Sequence, residues 1–350
     1  MKIAMIVPSL ANKGPVIVAK DLCEELMAMG HRCRIFYFEE VIDLTMPCDV
    51  EKINFLHAID FHEWDVVHTH CLKPDLYVRV HKPLKRFSDN TIFISTQHNP
   101  ISIKEMKQTY GFLQSVIGSC LWHIALTAFD KIVYLNNITK NTTTLLNRAN
   151  ILVIHNGRDI DVTDNKIEDK KLQELKDKYF VVGTVSGIIK RKGLEQMLYA
   201  LQKLPKCVFC AVGDGPELES LKMLASILGV DERCYWVGYH PEGHKFHKYF
   251  DAFVMCTRSE GFPLALIEAA AYGTPTVLSS IPILKDVIEY PNVVFYELDN
   301  IQSLVSSINQ VLTNKDEFSR NIQHYYLNNL KRSIMVNRYI DEYRNVKDLF

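Results

Sequence analysis

Residues Arg258–Pro275 read RSEGFPLALIEAAAYGTP and place two glutamates eight positions apart. Glu260 lies in a glycine-containing turn, whereas Glu268 falls on the second turn of an apolar helical run that starts near Pro263. A proline suits the first helical position, because the N–H that it lacks would have no partner there. The next backbone N–H groups point out of the helix N-terminus, which is a natural site for a phosphate. The stretch therefore predicts an anion site at a loop–helix junction.

The two carboxylates predict hydroxyl groups on both sides of the bound phosphate. An ionised glutamate only accepts hydrogen bonds, so Glu260 would bind hydroxyls beside the phosphate and Glu268 those on its far side. A diphosphate with hydroxyls on both sides is a nucleotide sugar. The nucleotide sugar would also contact residues between the two glutamates, namely Gly261, Phe262, Leu264 and Ala265. An amphipathic helix with both glutamates in solvent is the alternative, and the Gly-Phe-Pro and Gly-Thr-Pro turns argue against it.

Length and composition indicate a two-domain globular protein. At 350 residues the chain suits two domains of roughly 150–180 residues each. Its 47% hydrophobic and 23% charged residues are typical of that class. A net charge of −1 gives no drive toward nucleic acid, so no such partner is expected. Nine scattered cysteines and an N-terminal apolar run too short for a signal peptide favour a cytoplasmic location.

Short apolar strands alternate with helical patterns in both halves of the chain. The first series starts at Ile3–Pro8, and a second starts at Tyr179–Thr184 after a charged stretch. This alternation predicts an α/β protein with two Rossmann-like doubly wound domains, whose ligand crevices lie at the carboxyl ends of the strands. The predicted bounds are residues 1–160 for the first domain, 161–178 for a linker region, 179–325 for the second domain and 326–350 for a C-terminal helix.

The glutamate pair occurs within S-E-G-F-P-L-A-L-I-E-A-x-A-x-G-T-P-x-V. This pattern resembles the E-x7-E signature of the retaining glycosyltransferases of family 4 (glycosyl transferases group 1). The resemblance implies the GT-B fold, in which two Rossmann-like domains face a central cleft and the last helix returns to the first domain. It further implies that the second domain binds a nucleotide sugar, with a UDP-sugar as the expected donor, and that the first domain holds the acceptor.

A basic turn follows the first strand of the second domain. Residues 182–194 read VGTVSGIIKRKGL and resemble the family segment that carries cations for the donor diphosphate. Lys192 matches the family lysine, whereas the family arginine has no counterpart because Ser186 stands in its place. Arg191 is the candidate replacement, since its planar guanidinium suits phosphate oxygens. A solvated basic turn is the alternative. With these cations stabilising the leaving diphosphate, we expect no metal or other cofactor.

Three further motifs complete the predicted donor site. The turn that begins at Gly213 resembles the family's G-x-G-P turn, in which small residues permit a close approach. Tyr239 follows a strand in the segment that resembles the nucleobase loop, and it could equally be a packing residue. Gly14 lies in the first strand–helix turn, where the family often carries two glycines and this chain has Lys13 before it.

His98 follows the fourth strand and resembles the family histidine that approaches the transferred sugar. The resemblance therefore assigns catalytic positions to His98, Glu260, Arg191 and Lys192, with a structural role for the histidine as the alternative. His68 and His70 match a common family pattern and are expected to pack and form hydrogen bonds. The sequence Asp159-Ile160-Asp161 has the spacing of a metal-binding D-x-D motif, but its position after an Asn-Gly turn makes it incidental.

The acceptor is predicted from a basic cluster beside an apolar segment. The cluster comprises Arg79, His81, Lys82, Lys85 and Arg86, and no Asp, Glu, Lys or Arg occurs between Gln108 and Phe129. This combination favours a glycan or lipid-linked oligosaccharide acceptor and peripheral contact with the inner membrane leaflet. A solvated helix end beside a core helix is the alternative.

Two other functions remain open from the sequence. A nucleotide-sugar epimerase can share the GT-B fold, and a non-catalytic partner subunit could keep the fold without the activity. The E-x7-E spacing and the Arg191-Lys192 turn favour transfer, whereas Ser186 and the altered Gly14 turn keep the non-catalytic alternative open. The preferred function is a retaining glycosyltransferase in surface polysaccharide or glycolipid synthesis.

Overall fold

The structure is a computed structural model that describes residues 1–82, 91–98, 111–142, 150–164 and 167–344. It contains two parallel β-sheets, each flanked by helices. They belong to two units, the first comprising Met1–Arg158 with Lys331–Phe350 and the second Asp159–Leu330. The second unit thus includes residues 161–178, taken above as a linker, where the helix Lys170–Lys176 lies. Each unit contains one Rossmann-like parallel sheet, as the sequence predicted.

The sheet of the first unit has the order β3-β2-β1-β4-β5-β6-β7. Its described strands are β1 Lys2–Leu10, β2 Arg32–Ile42, β3 Asp49–Lys52, β4 Val66–His70, β5 Ile92–Gln97, β6 Lys131–Tyr134 and β7 Asn150–Val153. Its described helices are Gly14–Ala28, Leu72–His81, Phe112–Leu126, Asn137–Thr142 and Arg332–Arg344. Every residue of β4 and β5 is buried, because helices cover both faces of a parallel sheet.

The sheet of the second unit has the order β10-β9-β8-β11-β12-β13. Its strands are β8 Phe180–Val185, β9 Cys207–Val212, β10 Cys234–Gly238, β11 Ala252–Met255, β12 Thr276–Ser279 and β13 Val294–Tyr296. Its described α-helices are Lys170–Lys176, Glu195–Leu201, Leu218–Ile227, Leu264–Ala271, Pro282–Val287, Ile301–Thr313 and Lys315–Tyr325. The central pair β8 and β11 ends at the loops that contain the predicted site residues, which places those loops side by side.

The C-terminal helix Arg332–Arg344 packs within the first unit. Its Tyr343 hydroxyl lies 2.7 Å from His68 Nδ1, and its Tyr339 hydroxyl lies 2.9 Å from Thr96 Oγ1. All four side chains are buried. The sequence predicted a C-terminal helix over residues 326–350; in the structure a π-helical turn occupies Tyr326–Leu330, where the chain leaves the second unit, and the α-helix begins at Arg332.

Candidate active site

Glu260 lies at the centre of the predicted donor site. Lys192 Nζ is 2.5 Å from Glu260 Oε1, and Arg191 Nη1 is 3.4 Å from Glu260 Oε2. Arg191 also donates to the backbone carbonyl of Ser259. The structure thus brings together three of the four residues for which the sequence predicts catalytic positions. The cations of Arg191 and Lys192 lie on either side of the Glu260 carboxylate.

The charge state of Glu260 follows from these contacts. Burial would raise the pKa of this carboxyl, but the Lys192 ammonium, the Arg191 guanidinium and hydrogen bonds from Lys192 and Thr257 outweigh that effect and hold the pKa below its usual value. A buried carboxylate is stable only with such partners. Glu260 is therefore ionised near neutral pH, and the cluster carries a net charge of about +1.

The short 3₁₀ turn Lys190–Lys192 is held against the Glu260 loop by Gly193 and Gln196. Gly193 has a φ of +62°, and a Cβ there would lie 2.4 Å from the Cys256 carbonyl oxygen. The Gln196 amide donates to the carbonyls of Gly193 and Cys256, at 3.2 and 3.0 Å. Sequence analysis missed Gln196; the one available signal is an uncharged polar residue amid the apolar side chains that follow the basic turn.

Gly213 and Ser186 lie close together, directly after the neighbouring strands β9 and β8. The Gly213 N–H donates to the Gly238 carbonyl at 2.8 Å, and a Cβ on Gly213 would lie 1.9 Å from the Ser186 carbonyl oxygen. The turn therefore requires glycine for close backbone packing. The Ser186 hydroxyl is buried and has no hydrogen-bond partner among the described residues. Tyr239, directly after Gly238, is 65% exposed.

The helix Leu264–Ala271 begins one residue later than predicted. Pro263 has a ψ of 107° and occupies the N-cap position, not the first helical position. Because a proline cap has no side-chain acceptor, the first-turn N–H groups remain oriented out of the helix end. Leu264 and Ala265 supply these groups and are half-buried, as is Gly261 before the cap, while Phe262 is buried.

Glu268 lies on the second turn of that helix, as predicted, and is half-buried. Its charge is among those that raise the pKa of Tyr272, one helical turn further along, although burial is the larger cause. The two carboxylates therefore lie on successive parts of one loop–helix segment.

The remaining predicted residues belong to the first unit. Gly14 is the first residue of the helix Gly14–Ala28, and Lys13 before it is extended, with φ −128° and ψ 149°. His98 is buried directly after β5, and its Nε2 lies 2.7 Å from His70 Nδ1. The D-x-D motif forms a local turn, in which Asp161 accepts hydrogen bonds from the N–H and hydroxyl of Thr163.

Comparison with known proteins identifies the class of enzyme. Residues 165–327 match the family model described as "Glycosyl transferases group 1", and this range contains Lys192, Glu260 and Glu268. The chain is also 29% identical to the "O-antigen biosynthesis glycosyltransferase WclY" of Escherichia coli, over 99% of each chain. The chain is a glycosyltransferase. The Glu260 cluster consequently lies within the transferase domain of this enzyme.

Two further similarities support the fold and the class. The enzyme shares its fold with HepE of Anabaena, solved in complex with UDP, with a TM-score of 0.78 and 16% identity over 98% of this chain and 99% of that one. It is 25% identical to the "UDP-Gal:alpha-D-GlcNAc-diphosphoundecaprenol alpha-1,3-galactosyltransferase" of Escherichia coli, over 75% of this chain and 70% of the relative. The GT-B prediction is therefore confirmed.

An apolar surface lies on the helix Phe112–Leu126 in the first unit. Leu113, Ile117, Leu121 and Ile124 are 70%, 50%, 43% and 52% exposed, and their spacing places them on one helical face. Within the described ranges, no helix has the length and hydropathy needed to cross a bilayer. We call this set of four residues the exposed apolar face.

The basic cluster predicted beside this helix is only partly at the surface. Arg79 is exposed, whereas the ammonium of Lys82 is 3.6 Å from Asp130 and 4.0 Å from the centre of the Phe93 ring. Lys85 and Arg86 lie outside the described residues. Among the described residues of this cluster, Arg79 is therefore the one exposed cation.

Proposed function

We propose that this glycosyltransferase transfers a sugar from a UDP-sugar to a glycan or lipid-linked acceptor, with retention at the anomeric carbon. The observation that carries the proposal is the Glu260 cluster, in which Lys192 and Arg191 pair with a carboxylate on the loop that leads into the helix Leu264–Ala271. Two cations and a helix N-terminus bind a diphosphate and stabilise the charge that it gains as the glycosidic bond breaks.

The roles of the two glutamates follow from their positions. Glu260, held rigidly by two cations, would accept hydrogen bonds from hydroxyls of the donor sugar next to the diphosphate. Glu268, farther along the helix, would accept from the ribose hydroxyls. In a retaining reaction of this kind the departing phosphate takes the acceptor's proton on the same face of the sugar, so no side-chain nucleophile is needed.

The nucleotide and the acceptor class are inferred from relatives. A UDP complex is known for HepE, and a UDP-galactose donor and a diphosphoundecaprenol-linked acceptor appear in the name of the galactosyltransferase relative. The relative aligned over the whole chain acts in O-antigen biosynthesis. We therefore place this enzyme in the synthesis of a bacterial surface polysaccharide.

Contact with the inner membrane leaflet is part of the same proposal. The exposed apolar face supports it, because an exposed apolar surface on a helix that packs against the helix of Arg79 suits the interface of an anionic bilayer. Co-sedimentation with anionic phospholipid vesicles tests it. Leu113→Ser with Ile117→Ser should reduce the bound fraction, whereas Leu56→Ser, at an 80% exposed leucine elsewhere in the first unit, should not. Equal binding by all three proteins would refute membrane contact through this helix.

The donor proposal is tested by calorimetric titration of UDP-, GDP-, ADP- and CMP-sugars in the presence of EDTA. Binding of the UDP class should survive EDTA, since side-chain cations supply the positive charge, and Glu268→Ala should weaken it. Glu219→Ala is the matched control, because that exposed glutamate pairs with Lys222 of its own helix, at 2.8 Å. A strict requirement for a divalent ion would contradict the cation assignment, and preferred binding of another nucleotide class would contradict UDP.

A further inference from the structure

Two imidazoles meet at the carboxyl ends of the neighbouring strands β4 and β5. His70 Nδ1 lies 2.7 Å from His98 Nε2, and the two ring centres are 5.0 Å apart. Both side chains are buried. One proton lies between the two nitrogens in a neutral pair, so one ring donates and the other accepts.

The second nitrogen of His70 decides which ring donates. His70 Nε2 lies 3.2 Å from the sulfur of Met5, on the adjacent strand β1. A thioether has no hydrogen to give and only accepts, so His70 Nε2 must carry the proton. A bare nitrogen there would put two lone pairs in contact. His70 Nδ1 is therefore the acceptor, and His98 Nε2–H is the donor.

This assignment leaves the lone pair of His98 on Nδ1. Burial lowers the pKa of His98 to about 3 and lowers the pKa of His70 well below its usual value, so both rings stay neutral near pH 7. His98 Nδ1 has no hydrogen bond to any residue of the described ranges; residues 99–110, which follow directly, lie outside them. A neutral ring with this tautomer offers an acceptor at Nδ1 and no donor there.

We propose that Met5 and His70 are positioning residues that fix His98 in its Nε2–H tautomer, so that Nδ1 accepts a hydrogen bond from a substrate hydroxyl. The tautomer assignment depends only on the three side chains, whereas the hydroxyl partner rests on the proposed function. The arrangement selects for a group that donates. It therefore discriminates against a sugar in which fluorine, which cannot donate, replaces the hydroxyl that faces His98.

The tautomer is tested without substrate by ¹⁵N NMR of histidine-labelled enzyme, because protonated and bare ring nitrogens have different chemical shifts. In the native enzyme we expect His98 with a bare Nδ1 and a protonated Nε2. Met5→Leu keeps the apolar bulk but removes the sulfur acceptor, so both tautomers of the pair should be populated. Met197→Leu, a buried methionine of the second unit, is the matched control and should leave the spectrum of His98 unchanged. A proton on Nδ1 of His98 in the native enzyme would overturn the proposal, whatever the activity.

The hydroxyl partner is tested by kinetics. His70→Phe removes the acceptor but keeps a ring, and should lower kcat/KM roughly tenfold, the usual effect of one lost neutral hydrogen bond. His70→Asn restores an acceptor oxygen and should recover most of that loss. Urea unfolding of each variant separates this effect from misfolding, and Met5→Leu provides a second variant if His70→Phe does not fold. An unchanged kcat/KM in folded His70→Phe would refute the role of Nδ1. Absence of transfer to every acceptor, with the expected NMR tautomer, would instead refute the proposed function.

Discussion

The Lys192 ammonium lies 2.5 Å from the Glu260 carboxylate, so the cation assigned to the donor diphosphate is already paired in the ligand-free enzyme. Arg191 approaches the other carboxylate oxygen at 3.4 Å. A bound diphosphate must therefore compete with Glu260 for both cations. This competition gives the glutamate opposite effects on nucleotide binding and on turnover.

Replacing Glu260 with glutamine should separate those two effects. Glu260→Gln removes the competing charge, so the Kd for UDP should fall about fivefold, or roughly 1 kcal/mol. The rate of transfer should fall at least about 100-fold, because the amide orients the donor hydroxyls and the cations poorly. Titration calorimetry and initial-rate assays measure the two quantities.

The control for this variant is Glu195→Gln. Glu195 also forms an ion pair with an arginine, 2.7 Å from Arg258 Nη2, but it is partly exposed and outside the Glu260 cluster. Both UDP binding and transfer should remain close to those of the native enzyme. Weaker UDP binding by Glu260→Gln would show that the carboxylate supports the diphosphate site and does not compete with the diphosphate.

Gly213→Ala should strongly destabilise the second unit. A Cβ at this position would lie 1.9 Å from the Ser186 carbonyl oxygen, and each backbone is held by a hydrogen bond of its own, from the Gly213 N–H to the Gly238 carbonyl and from the Ser186 N–H to the Val212 carbonyl. We expect a loss of about 3 kcal/mol or more in the free energy of unfolding. Urea denaturation measures it.

Gly229→Ala isolates the contribution of backbone strain alone. Gly229 has a φ of +65°, but no atom lies within 4 Å of a Cβ built there. The loss should be about 1 kcal/mol, the ordinary effect of a left-handed conformation at a non-glycine residue. Equal losses of stability in Gly213→Ala and Gly229→Ala would mean that the close contact with the Ser186 carbonyl does not exclude a side chain at position 213.

Mild acid should destabilise the first unit before the second. Burial lowers the pKa of His68 and His98 to about 3 and that of His70 well below its usual value, and all three belong to the first unit. The second unit has His247, whose pKa is likewise lowered to about 3 by burial. Because the unfolded chain binds protons near pH 6.5 and the folded one does not, stability is present above that pH and is lost as the pH falls.

Each such histidine should reduce the free energy of unfolding by about 2 kcal/mol between pH 7.5 and pH 5. Asp75 acts in the opposite direction, because burial raises its pKa to about 6 despite four hydrogen bonds, and protonation in the folded state adds stability as the pH falls. Three histidines outweigh this one carboxyl in the first unit. Urea unfolding at both pH values, followed by probes in each unit, should show that the free energy of unfolding falls more for the first unit. Equal losses in the two units would contradict the prediction that the three buried histidines stay neutral in the folded protein.

The thiol of Cys48 should react before those of the second unit. A hydrogen bond from Cys23 outweighs burial and lowers the pKa of Cys48, whereas burial raises the pKa of Cys207 to about 11. The thiolate is the nucleophile, so a maleimide at pH 7.5 should label Cys48 while Cys207 stays unmodified. Peptide mass spectrometry after limited labelling identifies the site; preferential modification of Cys207 would refute the prediction.

The sequence predicted the fold well where its signals are local. Strands such as β8 are largely apolar runs, and the turn at Glu260 is marked by glycine and proline, so both were located within one or two residues. The edge strand β3 was missed because Asp49–Lys52 is almost entirely polar and fully exposed, as suits an edge.

The part of the site that the sequence could not predict depends on distant partners. Gln196 became recognisable as a link between two loops only when its amide was seen between Gly193 and Cys256, 60 residues beyond it. The direction of the hydrogen bond between His70 and His98 likewise depends on Met5, which lies on another strand. Spacing along the chain carries no information on such contacts.

The contact between His68 and Tyr343 spans 275 residues and has a consequence for biosynthesis. On the ribosome, β4 emerges long before the helix Arg332–Arg344 that covers its histidine, whereas every strand of the second unit lies in one continuous segment. The second unit thus needs no residue beyond its own segment in order to fold, while the first must wait, with buried polar groups of β4 still exposed, for the helix Arg332–Arg344 to emerge. The unit that is synthesised first is therefore the one that is completed last.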